Sequence, residues 1–228
     1  MNYHIHSHRN ALTILENEEE FRDSWNEIQY ILNNLTDERI IECFNTHFTS
    51  SNKSLSKAIN KLLKEDFSKL NWSTESPIFQ ETQYKNKRNK TWRLDMAKNN
   101  ISVEVAFNHG GTTAWNLLKP VLASELNHVQ KAIQTKMGVI ICATQGLKKT
   151  GNFDNAIGTY EKYLLHLKPM MNQLSVPMLL IGLEAPETFV VSERNVGNRK
   201  LGEILMIHDT ELLSSSTSSL TEVLDLPK

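Results

Sequence analysis

The sequence predicts an α/β sandwich, a central mixed β-sheet flanked by helices. Three observations lead there. MGVIICA at residues 137–143 and VPMLLIGL at residues 176–183 are unbroken apolar runs of strand length, as in strands buried on both faces. Residues 92–107 alternate around an Asn-rich turn, as in an antiparallel hairpin. The stretches before and between these carry apolar residues at helical spacing, so helices and strands interleave around one sheet.

Composition narrows the class. The chain has 228 residues, of which 39% are hydrophobic, enough for a sizeable core, and its net charge is −1. It reads as one domain over residues 1–228, mainly helical over 1–70, with the sheet-forming core over 72–183. The tail over 214–228 opens on SSSTSS and reads as flexible. No apolar run approaches 18 residues, so no membrane span is expected. The N-terminal MNYHIHSHRN lacks the apolar stretch of a signal peptide. Cys43 and Cys142 stand far apart and form no metal motif, which fits a reduced, cytoplasmic protein. No Gly-rich phosphate loop is present, and no nucleotide cofactor is expected.

The elements follow in order. His4, His6 and His8 alternate as on an edge strand or a disordered end. Residues 18–35 predict a helix, with Phe21, Trp25, Ile28 and Leu32 on one stripe and acids in its first turn. Residues 37–48 and 55–70 predict two more; Leu55, Ile59, Leu62, Leu63 and Phe67 form the stripe of the second. Residues 72–90 are polar and irregular. In the hairpin, residues 92–96 form the first strand, 97–100 the turn and 101–107 the second strand. Val103, Val105 and Phe107 point one way; Ser102, Glu104, Ala106 and Asn108 point the other. That second face carries small polar residues and does not read as core. After Gly110 and Gly111 a helix broken or begun near Pro120 is expected to run to about residue 135. Residues 153–171 predict a last helix between the two buried strands.

The chemistry concentrates in the hairpin. Asp95 and Glu104 sit on adjacent strands where they can meet at the strand ends. Two hard oxygen ligands on a rigid sheet suit Mg²⁺, which takes one or two carboxylates with waters and a phosphate. Asp95 alone reads as an ordinary turn-flanking residue, but an acid between Val103 and Val105 is disfavoured in a β segment. Residues 53–98 hold 11 Lys/Arg against 5 Asp/Glu, with Lys85, Lys87, Arg88, Lys90 and Arg93 just before Asp95. On charge alone this is a solvated face; beside two carboxylates it also suits a polyanion. Asn108, His109, Gly110 and Gly111 form a polar loop able to enter a DNA groove, since Asn pairs with an adenine edge, or simply to connect strand to helix. Glu125 and His128 lie three apart on the expected helix, but lack a matching second pair and read as a polar face.

These residues resemble the BglII family of type II restriction endonucleases, within the PD-(D/E)xK nuclease superfamily. The resemblance rests on Asp95, then Glu104-Val105, then Phe107-Asn108. It continues through Ser124-Glu125-Leu126 with His128, Val139-Ile140-Ile141, Tyr160-Glu161 and the segment from Val176-Pro177 to Gly182-Leu183. Upstream, Trp72 and Pro77-Ile78 fall where that family has similar residues. It covers residues 72–183; the helical first third and the tail have no clear match. It implies a restriction-endonuclease-like fold and a Mg²⁺-dependent, site-specific deoxyribonuclease of a restriction-modification system. Such an enzyme acts on double-stranded DNA at a short palindrome as a homodimer, without a membrane.

By the same resemblance, Asp95 and Glu104 bind Mg²⁺ through their carboxylates, Glu104 orients the attacking water, and the Val105 carbonyl completes the protein ligands. The next position, Gln, Glu or Lys in the family, is Ala106 here, which cannot orient a water. Asn108, two residues on, is the first candidate catalytic substitute. A glutamate from elsewhere, Glu75, Glu81 or Glu125, is another. The alternative is a sequence-specific DNA binder with a degenerate, weakly active or inactive site. DNA contacts are expected from Lys85, Lys87, Arg88, Lys90 and Arg93 to phosphates. Asn108, His109, Thr112 and Thr113 are expected at bases, with residues 192–199 as a further loop.

Overall fold

The computed structural model describes residues 1–85, 91–125 and 128–207. Six strands form one mixed sheet in the order β1-β6-β5-β4-β3-β2. In chain order these are β1 (Tyr3–His8), β2 (Ser73–Pro77), β3 (Arg93–Lys98), β4 (Ile101–Val105), β5 (Met137–Ala143) and β6 (Met178–Leu183). The two apolar runs are the parallel centre: β4 pairs with β5 and β5 with β6, and every residue of the three strands is buried. The outer strands are antiparallel, with β1 on β6 and β2 on β3. The alternating histidines therefore belong to an edge strand. The helices are α1 (Ala11–Asn17), α2 (Glu19–Asn33), α3 (Asp37–His47), α4 (Ser56–Lys69), α5 (Thr113–Ser124), α6 (Gln145–Thr150) and α7 (Tyr160–Leu167). A separate two-stranded ribbon, β7 (Phe189–Val196) and β8 (Arg199–Met206), follows the sheet. Among the described residues no helix is long and apolar enough to cross a membrane.

Alternation along the central strands assigns the two layers. Val103, Val105, Val139, Ile141, Leu179 and Ile181 pack with the stripes of α2 and α4, including Phe21, Trp25, Ile28, Ile59 and Phe67. Ala106, Ile140, Cys142 and Leu180 pack the other way, with Leu117 of α5 and Tyr163 of α7. The helical first third is thus one of the sandwich's two outer layers. Arg39 joins α3 to α4 through two bonds to Asp66, at 2.8 and 3.0 Å.

Several expectations change. The acid-bearing face of the second hairpin strand is core: Ser102, Glu104 and Ala106 are all buried, because α5 and α7 cover it. The turn is only Asn99-Asn100, with Asn99 in the left-handed region at φ 50°, where Asn is tolerated. The helix near Pro120 starts earlier and stops at Ser124, with Pro120 inside it. Glu125 is extended, so it does not share a helix with the exposed His128. The helix expected over 153–171 shrinks to α7, since residues 151–159 run as turns and extended chain, with Ile157 and Thr159 in isolated bridges. Residues 73–77, read as irregular, form β2. Residues 192–199 span the ends of β7 and β8 and their Gly197-Asn198 turn rather than an open loop. Lys87, Arg88, Lys90, Leu126 and the tail over 214–228 lie outside the described residues.

Candidate active site

The hairpin register sets the acids side by side. β3 and β4 pair at Met96↔Val103, Ala97↔Ser102 and Lys98↔Ile101, and the next positions outward are Asp95 and Glu104. There the ladder gives way to side-chain bonds. The Val105 amide donates to Asp95 Oδ2 at 2.8 Å, and the Asp95 amide donates to Glu104 Oε1 at 3.3 Å. Each carboxylate is thus held by the backbone of the other strand. β2 extends the row: its register with β3 brings Glu75 opposite Asp95, in the left-handed region at φ 53°. A non-Gly residue there is uncommon and costs about 1–3 kcal/mol of strain, a pattern that concentrates at functional sites.

These side chains line one cavity of about 290 Å³ with Ser56, Lys57 and Asn60 of α4, Val105, Phe107, Asn108 and Lys119. Lys119 Nζ lies 2.6 Å from Glu104 Oε2 and the pair is buried. Burial pushes the Glu104 carboxyl up, to about 8, and the neighbouring Asp95 adds to that against the pull of Lys119. Burial raises Asp95 as well, with Lys119 opposing. Two carboxylates share one ammonium at the centre, so ionising both of them calls for a further cation. Among the described residues no three His, Cys, Asp or Glu side chains form a metal cage. The donors Asp95 and Glu104, with a backbone carbonyl at Val105, instead match an ion that keeps several of its own waters, which is the habit of Mg²⁺.

The remaining expected residues divide. Asn108 lines the cavity and is exposed; its Oδ1 accepts from Asn116 Nδ2 at 3.0 Å and lies 2.9 Å from the Thr112 hydroxyl, so its amide NH₂ is left for the cavity. Asn116 is held in turn by the buried Tyr163 hydroxyl at 2.7 Å. His109 is exposed, its Nδ1 accepting from the Gly111 amide. Thr113 is buried and donates to the Gly110 carbonyl, which leaves it no face for a base. Lys85 is exposed. Arg93 is half-buried, donating to the carbonyls of Glu75 at 3.0 Å and Lys85 at 3.4 Å. It braces the strained Glu75 backbone. Of the three alternative glutamates only Glu75 reaches the cavity; Glu81 bonds Gln83, and Glu125 bonds Ser175.

Sequence patterning does not single out Lys119, because a lysine before a proline in an apolar helix carries no motif. The structural signal is Gly138. A Cβ there would lie 2.5 Å from Pro120 Cβ. The bare glycine lets α5 sit down on β5, and Lys119 lands beside Glu104.

The model of the family described as restriction endonuclease BglII/BglIII matches residues 3–183. The match takes in the helical first third, where the sequence motifs give no clear correspondence. A crystal structure of restriction endonuclease BglII complexed with a DNA 16-mer superposes with a TM-score of 0.60 at 18% identity, covering 90% of this chain and 100% of that one. The crystal structure of free BglII gives 0.49 at 15%, with the same coverage. No curated protein sequence matches the chain. The first superposition is a likeness of fold, and the family match spans well over half of the sequence. The chain belongs to the BglII/BglIII family of restriction endonucleases, enzymes that hydrolyse DNA.

Proposed function

We propose that the chain is a Mg²⁺-dependent type II endonuclease that cuts double-stranded DNA within a short palindrome, acting as a homodimer of one-domain subunits. The observation that carries this reading is the clasp of Asp95 and Glu104 across the open end of β3 and β4, in a cavity where the two carboxylates share the Lys119 ammonium. Asp95, Glu104 and the Val105 carbonyl would hold the ion. Bound there, Mg²⁺ supplies charge neutralisation and Lewis-acid polarisation at the scissile phosphate. The backbone amides of Val105 and Asp95 hold the two carboxylates in fixed orientation, so little reorganisation accompanies the reaction. A water oxygen forms the new bond to phosphorus in line with the P–O3′ bond, which breaks. The water's proton leaves to solvent, and O3′ takes one up.

Lys85 and Arg93, with Lys87, Arg88 and Lys90 beside them in sequence, are assigned to phosphates, and Lys57 at the start of α4 faces the same cavity. Asn108, His109 and Thr112 are assigned to base edges. A palindrome follows from the homodimer, since a two-fold protein reads a two-fold site.

The test is cleavage of a sequenced plasmid in Mg²⁺ or Mn²⁺. Wild type is expected to give discrete fragments with one repeated end sequence. Asp95→Ala and Glu104→Ala are expected to bind DNA without cutting it. Full activity in either variant sinks the site, and binding without cutting by wild type favours a DNA-binding module with a relic centre.

A further inference from the structure

Position 106 leaves a gap in the chemistry. Ala106 is buried among Leu117, Ile140 and Tyr163, and offers no polar atom to a water or a phosphate. Asn108 lines the cavity, but its amide is neutral and carries no charge to set against a phosphate. We propose that Lys119 of α5 supplies the missing group: its ammonium holds the attacking water and donates to a non-bridging oxygen of the scissile phosphate. The assignment rests on the reading of this cavity as the phosphodiester-hydrolysing site.

Three observations lead to Lys119. Its Nζ is 2.6 Å from Glu104 Oε2 and lines the cavity that Asp95, Glu104 and Val105 share, so it stands where Ala106 falls short. An ammonium has three donors; Glu104 takes one, and no other bond to it is found among the described residues. Two donors remain for a water and a phosphate oxygen. Third, a buried ion pair is a poor stabiliser, because desolvation offsets its attraction and apolar replacements serve a core as well or better. The helix is also seated for this purpose: Gly138 pairs with Ser102, two residues before Glu104 on β4, and admits Pro120 next to Lys119.

In the reaction Lys119 stays an ammonium and takes no proton. It orients the water oxygen that bonds to phosphorus while the P–O3′ bond breaks. It also offsets negative charge gathering on the phosphate oxygens. Such preorganised donors are worth on the order of 100-fold or more in rate.

The experiment pairs cleavage with binding. Lys119→Met and Lys119→Arg are compared with wild type and Asp95→Asn on a duplex carrying the mapped cut site. Single-turnover cleavage in Mg²⁺ is expected to fall about 100-fold or more in Lys119→Met, and by less in Lys119→Arg, which keeps the charge but moves the donors. Binding is measured in Ca²⁺ on the same duplex with and without a neutral methylphosphonate at the scissile position. If Lys119 touches that phosphate, the methylphosphonate weakens wild type but changes Lys119→Met little further. Additive losses mean that Lys119 only neutralises Glu104, and overturn the assignment. So does a folded Lys119→Met that cuts within threefold of wild type. Should Lys119→Met fail to fold, Lys119→Gln decides by the same two measurements: cleavage within threefold of wild type, or a methylphosphonate penalty as large as in wild type, overturns the assignment. Full activity in Asp95→Asn, or wild type that binds DNA and never cuts, removes the nuclease site itself and is distinguishable from a failure at Lys119 alone.

Discussion

At the scale of single residues, the site is governed by burial. Glu104 is 2% exposed, and burial followed by the Asp95 charge raises its pKa from 4.5 to about 8 in the folded chain. Between those values the folded chain keeps a proton that the unfolded chain has released. Stability of the metal-free protein is therefore full below about pH 4.5 and falls as pH rises through about pH 8. Asp95, raised in the same direction, adds to the loss. The loss is expected to reach a few kcal/mol, since a tenfold change in proton affinity is worth about 1.4 kcal/mol. Urea unfolding in EDTA at about pH 5 and about pH 8 measures it. Glu104→Gln should flatten most of the slope. Equal slopes in wild type and Glu104→Gln would show that Glu104 is ionised in the folded chain with little penalty. A divalent ion should restore stability in wild type at the higher pH, because it binds the ionised pair.

At the scale of elements, the decisive contact is α5 on the sheet. Gly138 sits in the middle of a buried strand where a side chain would ordinarily add packing, and Pro120 sits inside a helix where it removes a backbone donor. Each is unfavourable alone; together they allow the close approach that delivers Lys119. Gly138→Val should push α5 off β5 and cost about 1–3 kcal/mol by overpacking. Its second effect separates it from an ordinary core clash: cleavage should fall by more than DNA binding does, because Lys119 is displaced and the loop from Asn108 to Thr112 is not. A variant that is destabilised yet cuts at the wild-type rate would show that the seat of α5 does not control the site.

The same contact explains which parts of the molecule were legible in the primary structure. MGVIICA and VPMLLIGL are marked by their unbroken apolar runs, and α2 and α4 by their helical stripes, and each forms the expected element. The Asp95–Glu104 pairing follows from counting residues across a tight hairpin. The start of α5 was not legible, because Pro120 argues for a boundary and only tertiary packing keeps it inside a helix. The burial of Glu104 was not legible either. Ser102, Glu104 and Ala106 look like a solvent-facing row until α5 and α7 cover them. Lys119 depends on both of these, which is why no motif marks it.

At the scale of the whole molecule, the ribbon of β7 and β8 lies beyond residues 3–183, which the family model matches, yet it is built into the active-site layer. Phe189 is fully buried, and with Val191 it joins the core shared by the sheet, α2 and α4. Asp37 Oδ2, at the start of α3, accepts from the amides of Glu187 and Thr188, both at 2.9 Å, and from the Thr188 hydroxyl at 2.8 Å. Gly202 donates to the Asn52 carbonyl at 2.9 Å, and a Cβ at Gly202 would lie 2.7 Å from the Lys53 carbonyl oxygen. The ribbon thus presses on residues 52–53, immediately before the turn of α4 whose Ser56, Lys57 and Asn60 wall the cavity. Phe189→Ala is expected to cost about 3–5 kcal/mol, as for other fully buried aromatic residues. Ending the chain after Pro186 should cost at least as much and also weaken DNA binding, since the start of α4 loses its support. Thermal melting and duplex affinity of the two variants check this. A truncated chain that melts and binds as wild type would mean that residues 3–183 hold the cavity by themselves, and that the ribbon is a surface addition.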